Sequence, residues 1–246
     1  MMSYKLIALD MDGTLLNKNK EIPAENREWI AKVLDAGKFV VLATGRPISF
    51  AASIAQELGL QSPLIINNGS EVWKSLDTLH IRHEIGADWI ERIFEVLSPY
   101  GDTIKYWAHT VEGPINHSNR PADLASVRWL QFAIRSDDPD CLQQVNKELS
   151  SWNVFEISNS HPTNLEFNPI GITKASGLKE VCKMLAIPLS ETIAVGDSLN
   201  DVPMLRAAGL GVAMGNAQDI TKQNADVIAP SNEESGVAYV IRHYFI

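Results

Sequence analysis

Short apolar runs alternate with helical patterns through the first third of the chain, the texture of βαβ units around a parallel sheet. Lys5 to Leu9 reads as a first buried strand and Phe39 to Ala43 as a second, with a third at Leu64 to Ile66. Between them Ile30, Val33 and Leu34 recur at helical spacing within Ala24 to Ala36, and Gly37 sits where a helix C-cap favours a residue without Cβ. A further helix runs from Ser49 to Leu58 and is closed by Gly59. The strands end at Asp10, Thr44 and Asn67, which are expected to share one rim, since ligands of open parallel sheets bind at the carboxyl ends of the strands.

The texture changes from His83 to Asn168. This stretch holds four of the six tryptophans (Trp89, Trp107, Trp129, Trp152), a helical pattern from Trp89 to Leu97, and strand-like pieces separated by turns such as Asp137-Asp138-Pro139-Asp140. Afterwards the first texture returns, with helices at Lys174–Leu185, Val202–Ala208 and Gly236–Tyr244 and strands at Thr192–Val195, Gly211–Ala213 and Asp226–Ile228. The expected architecture is an α/β fold: a Rossmann-like parallel-sheet core from residues 1–82 and 169–246, interrupted by a smaller α+β cap at 83–168.

Composition narrows the function. The chain has 246 residues, a formal net charge of −9 and 45% hydrophobic residues, as expected of a globular protein with a substantial core. The acidic balance argues against nucleic-acid binding, which relies on Lys and Arg. An acidic protein that handles anions needs positive charge concentrated at a local site. Cys141 and Cys182 have neither zinc-site spacing nor the density of a disulfide scaffold, and read as ordinary thiols. The apolar run Leu6 to Leu9 is too short for a signal peptide, so the expectation is a cytoplasmic protein without membrane spans.

Four segments carry candidate chemistry. In Asp10-Met11-Asp12-Gly13-Thr14 two carboxylates leave a strand end within three residues, and in an extended stretch they face the same way. Such a pair can bind a divalent cation, with one acid as nucleophile and the other moving a proton. A plain strand-end turn is the other reading. A calcium loop counted from Asp10 would put its bidentate acid at Glu21, but the glycine falls at the fourth position instead of the sixth and a strand precedes it. Thr44-Gly45-Arg46 offers a hydroxyl and backbone N–H groups to a phosphate, or is only a turn. Asn67-Asn68-Gly69 offers amides to a substrate, or is a hairpin turn. Lys174 opens a helix, where its ammonium can hold a phosphate oxygen, or is a solvated surface residue. Gly196-Asp197-Ser198-Leu199-Asn200-Asp201 adds a second acidic loop after a strand, and two such loops can supply the oxygen ligands that Mg2+ prefers.

In this order the segments resemble the haloacid dehalogenase superfamily of phosphohydrolases, and within it the Cof-type, sugar-phosphatase-like branch with a C2-type cap. Met204-Leu205 and Ala213-Met214-Gly215-Asn216-Ala217 extend the likeness, which spans the whole core. The resemblance implies a Mg2+-dependent phosphatase acting on small phosphorylated metabolites. It implies Asp10 as the nucleophile that becomes an aspartyl-phosphate and Asp12 as the acid and base. It also implies Mg2+ held by the Asp10 carboxylate, the Asp12 backbone carbonyl and Asp197 with support from Asp201, and a phosphoryl group held by Thr44, Gly45, Arg46, Lys174 and Asn200. Ala175 stands where family members often have glycine. In the cap, Trp107, His109, His117, Arg120, Trp129 and Arg135 are candidates for leaving-group contacts. A phosphotransferase or mutase is the alternative activity, and a noncatalytic phosphometabolite-binding protein a third reading. The expected partner is a small metabolite, without nucleic acid or membrane, and the expected state a monomer or homodimer.

Overall fold

The computed structural model describes residues 4–246. Its chain order is β1 (Leu6–Leu9), α1 (Ala24–Asp35), β2 (Phe39–Leu42), α2 (Ile48–Glu57), β3 (Leu64–Ile66), β4 (Glu71–Ser75), β5 (Thr78–Arg82), α3 (Ala87–Leu97), β6 (Lys105–Thr110), β7 (Gly113–Asn116), β8 (Trp129–Arg135), α4 (Pro139–Ser151), β9 (Phe155–Ser158), β10 (Asn164–Pro169), α5 (Lys174–Leu185), β11 (Thr192–Gly196), α6 (Val202–Ala207), β12 (Leu210–Ala213), α7 (Asp219–Gln223), β13 (Val227–Ile228) and α8 (Gly236–Val240). The chain divides into two compact units, one running to Ile81 and resuming at Thr173, the other spanning Arg82–Ile172.

In the first unit five parallel strands lie in the order β13-β12-β11-β1-β2. All four residues of β1 are buried, as expected of a strand covered on both faces. Alternation sorts its side chains: Ile7 and Leu9 pack with Ile30 and Val33 of α1, Ile54 of α2 and Val240 of α8. Leu6 and Ala8 pack instead with Leu178 and Val181 of α5 and Met204 and Leu205 of α6. Gly37 (φ +69°) and Gly59 (φ +67°) follow α1 and α2 in the left-handed conformation, so both predicted stops are real.

The third predicted strand behaves differently. β3 touches the parallel sheet through a single bridge between Ala43 and Ile65, and otherwise pairs antiparallel with β4 in a three-stranded sheet ordered β3-β4-β5. The link from β3 to β4 is Asn67-Asn68-Gly69, where Asn67 (φ +51°) and Asn68 (φ +55°) take the left-handed backbone that asparagine tolerates. The last helix is also shorter than expected: after Val240 the chain widens into a π turn over Ile241–Phe245.

The second unit is an antiparallel sheet ordered β7-β6-β8-β10-β9, with α3 and α4 packed against it. Ile90, Ile93 and Phe94 of α3 and Leu142, Val145 and Leu149 of α4 meet Tyr106, Phe132, Ile134 and Phe167 of the strands. Asp138 caps α4 by accepting the N–H groups of Asp140 and Cys141, and Pro139 fills the first turn, where its missing N–H is not needed. Cys141 and Cys182 are free thiols. Among the described residues no helix is long and apolar enough to cross a membrane.

Candidate active site

Register places the two acidic loops side by side. Leu9 of β1 pairs with Val195 of β11 on one flank and with Leu42 of β2 on the other, so Asp10, Gly196 and Ala43 leave the sheet at one edge. The Asp10 N–H donates to the Val195 carbonyl at 3.0 Å, carrying the pairing one residue past the strand. Lys174 arrives as the first residue of α5, whose start is fixed by reciprocal bonds between Thr173 and Ser176.

At that edge Lys174 Nζ donates to Asp10 Oδ1 and to Asp201 Oδ1, each at 2.7 Å. Lys174 and Asp201 are fully buried, and the Asp10 side chain keeps 8% of its surface exposed. The surface reading of Lys174 is therefore excluded. Asp201 Oδ2 accepts the N–H groups of Asp197 (2.9 Å) and Ser198 (3.0 Å), which folds the second loop back on itself. Asp197 accepts the hydroxyls of Thr14 at 3.3 Å and Ser198 at 3.1 Å. Gly13 is demanded twice over: its φ is +82°, and a Cβ there would lie 2.5 Å from Asp197 Oδ2.

Charge in this cluster is unbalanced, with three carboxylates against one ammonium. Burial, reinforced by Asp201, pushes Asp197 up to about 7. Burial likewise raises Asp10 well above the carboxylate range, with Asp201 and Asp197 adding to it and Lys174 opposing. For Lys174 burial disfavours the ammonium, but Asp10 and Asp201 outweigh it and hold the group above the ordinary lysine range.

The carboxylate of Asp12 lies outside this cluster. The chain turns after Asp10 and does not run on extended, and the Asp12 carboxylate is not among the three grouped ones. Asp12 accepts from Arg46 Nε (2.5 Å) and Nη2 (2.6 Å) and from Lys20 Nζ (2.7 Å). Partial burial raises the Asp12 carboxyl, and the bonds to Arg46 and Lys20 more than reverse this, leaving it below its usual range. Arg46 thus holds an acid, with its guanidinium 3.7 Å over the Phe50 ring. Thr44 Oγ1 accepts the Arg46 N–H at 3.1 Å, so its own hydroxyl proton is free to point elsewhere. Asn68 joins the remaining candidates. Its N–H donates to the Thr44 carbonyl, its Oδ1 accepts from Asn200 Nδ2 at 3.1 Å, and a Cβ on Gly45 would approach that oxygen to 3.1 Å. The turn reading of Asn67-Asn68-Gly69 holds, and the Asn68 amide lies against Asn200 and Gly45.

Lys20, Thr14, Ser198 and Asn216 were not singled out as site residues from sequence. Asn216 donates to the Gly13 carbonyl at 2.8 Å and accepts from the Asn232 N–H, bracing the first acidic loop. Its place in Ala213 to Ala217 was the available signal. Lys20 sits in a polar turn with no pattern to mark it. In the second unit Trp129 is a core residue, fully buried with its indole N–H on the Leu124 carbonyl. His117 and Arg120 line an open cavity of about 810 Å³ with Phe94 and Tyr106. Arg135 is exposed beside Asp137, and Trp107 and His109 are half-buried on β6.

Asp10, Asp197 and Asp201 each offer an oxygen within 4.8 Å of the others. An all-oxygen set of three carboxylates, two buried and one half-buried, short of positive charge suits a hard divalent cation better than zinc or copper, and it could hold one. The haloacid dehalogenase-like hydrolase family matches residues 7–128 and 104–241. The chain belongs to this family. The 5-amino-6-(5-phospho-D-ribitylamino)uracil phosphatase YcsE of Bacillus subtilis is 42% identical over 242 residues, covering 98% of this chain and 96% of that protein. Phosphatase YwpJ of the same organism is 31% identical over 286 residues, covering 97% of this chain and 99% of its own length. The fold agrees: a solved haloacid dehalogenase-like hydrolase from B. subtilis superimposes with a TM-score of 0.89 at 29% identity, over 98% of this chain and all of that one. This haloacid dehalogenase-like chain is thus a hydrolase whose relatives are named phosphatases.

Proposed function

We propose that the chain is a Mg2+-dependent phosphatase of small phosphorylated metabolites, working through an aspartyl-phosphate on Asp10. One observation carries the reading. Lys174 anchors Asp10 Oδ1, while Oδ2 has no hydrogen-bond partner among the described residues and the side chain keeps a small opening to solvent. One oxygen is positioned and the other is presented.

Asp10 Oδ2 attacks phosphorus as the ester P–O bond breaks, and the leaving oxygen takes a proton from the protonated form of Asp12, the minor form while Arg46 and Lys20 hold the carboxylate. Water, deprotonated by Asp12, then cleaves the acyl phosphate and releases inorganic phosphate. Lys174 offsets charge on the phosphoryl oxygens, and the Thr44 hydroxyl and the Asn200 amide, steadied by Asn68, are the neutral donors to them. Asp10, Asp197, Asp201 and the Asp12 backbone carbonyl would hold Mg2+, which supplies charge neutralisation and alignment of the phosphoryl group. The Arg82–Ile172 unit serves as the cap that selects the leaving group. The name of the B. subtilis relative makes 5-amino-6-(5-phospho-D-ribitylamino)uracil the first compound to assay, beside sugar, nucleotide, flavin and pyridoxal phosphates.

The test is phosphate release across that panel with Mg2+ and with chelator, together with intact mass spectrometry of Asp12→Asn. The variant is expected to lose turnover by about a hundredfold or more and to accumulate one phosphate on the protein. Mg2+-independent release, or no release from any ester, overturns the proposal. A new phosphorylated sugar formed without matching free phosphate would point to transfer instead.

A further inference from the structure

Asp12 already accepts three hydrogen bonds. Lys20 Nζ and Arg46 Nη2 occupy Oδ1, and Arg46 Nε occupies Oδ2. A carboxylate gripped side-on by a guanidinium and capped by an ammonium keeps one Oδ2 lone pair for a leaving oxygen, and Oδ1 becomes available only when one cation gives way.

How each cation is held decides which one moves. Arg46 makes two bonds to Asp12, stacks on Phe50 at the start of α2, and has its backbone N–H tied to Thr44. Lys20 makes one bond through a flexible stem, its side chain is 55% exposed against 30% for Arg46, and it has no other side-chain partner. Exposed pairs of this kind are weak. Lys20 is the cation free to leave.

The backbone beneath it is firmly built. Asn17 Oδ1 accepts the N–H groups of Asn19 and Glu21, and the Lys20 N–H donates to the Asn17 carbonyl at 2.9 Å. The Lys18 N–H donates to Glu233 at 2.6 Å. Lys20 itself holds φ +63°, where glycine or asparagine would be at ease and lysine is not. The turn therefore tolerates an ill-suited residue whose ammonium points at the acid, a fixed root with a movable tip.

We propose that Lys20 is a specificity residue: when substrate arrives it leaves Asp12 and donates to an oxygen on the leaving group, favouring phosphate esters of polyols and sugars over aryl phosphates that lack such an oxygen. The proposal rests on the reading of Asp12 as the residue that serves the leaving oxygen. While Lys20 still holds Asp12, two hydrogen-bond lengths, about 5–6 Å, separate the ammonium from an ester oxygen on the same carboxylate, so release brings a hydroxyl one or two carbons away within its reach.

The experiment compares the full chain with Lys20→Asn and Lys20→Arg, with Mg2+, on p-nitrophenyl phosphate and on ribitol 5-phosphate, ribose 5-phosphate and glucose 6-phosphate. In Lys20→Asn the ratio of kcat/KM for the best polyol or sugar ester to that for the aryl ester should fall about tenfold, mostly through KM. Lys20→Arg should recover part of the ratio, and the melting temperature of Lys20→Asn should not drop, since asparagine suits the turn. A ratio that falls less than threefold overturns the proposal, whether both activities decline together or neither does. So does a parent enzyme that hydrolyses the aryl ester and none of the polyol or sugar esters. A parent enzyme that releases phosphate from neither class overturns the phosphatase reading itself.

Discussion

Asp10 and Asp12 lie two residues apart in opposite surroundings. Asp10 shares a buried pocket with two more carboxylates and one ammonium, and its carboxyl is pushed up. Asp12 is half-exposed between a guanidinium and an ammonium, and its carboxyl is pulled down. Equal chemistry is thus split by environment, one acid short of positive charge and the other surrounded by it. The pocket is short of positive charge, and the clamp is rich in it.

The largest effect that sharpens this contrast is expected from Asp10→Asn. Mg2+-dependent phosphate release should fall about a thousandfold or more. The metal-free melting temperature should hold or rise, because one repelling charge is removed from the pocket. Substantial residual turnover would break the assignment. Next comes Lys174→Met, which removes the ammonium from the pocket and leaves its acids without a cationic partner among the described residues. A loss of about 3–5 kcal/mol is expected in denaturant unfolding. The equivalent change at Lys20, where the pair is exposed, should be within about 1 kcal/mol.

A smaller effect than that of Lys174→Met is expected on pH dependence. The ordinary value for Asp197 is 3.8 and the native value about 7, so the native state binds that proton more tightly than the unfolded chain does. Stability of the metal-free protein therefore falls as pH rises from about 4 and levels off above 7. Asp12 has the opposite sign: its contribution is present above its ordinary range and is lost on acidification below it. Melting of chelated protein should drop by about 5 °C or more between pH 5 and pH 8, and excess Mg2+ should flatten the slope. A melting temperature that climbs with pH under chelation would refute the charge deficit.

The pocket was more legible in the sequence than the clamp, for a physical reason. β1, β2 and β11 are short apolar runs ended abruptly by polar residues, so their rims can be read residue by residue. Glycine at position 13 and asparagine at 68 mark backbone conformations that few residues accept. The pairing of Lys174 with acids 164 and 27 positions away leaves no local trace. Lys20 reads as any lysine in a solvated turn until the fold brings Asp12 to it. β3 keeps a parallel bridge to Ala43, as its place after β2 suggests, but a buried three-residue run does not disclose its antiparallel partner β4. β4 and β5 went unread, since their short, half-exposed pattern resembles a loop with scattered apolar residues.

Strand order also governs how the protein emerges from a ribosome. β1 sits between β2 and β11, yet Leu6 must wait for Thr192 to be synthesised before its second flank is covered. Closing a loop over so long a separation is slow. The Arg82–Ile172 unit has no such wait, because all five of its strands and both helices lie in one continuous stretch. Its sheet can be complete while the Asp10 pocket is still missing Lys174, Asp197 and Asp201, so the acid pocket is among the last parts of the molecule to come into being.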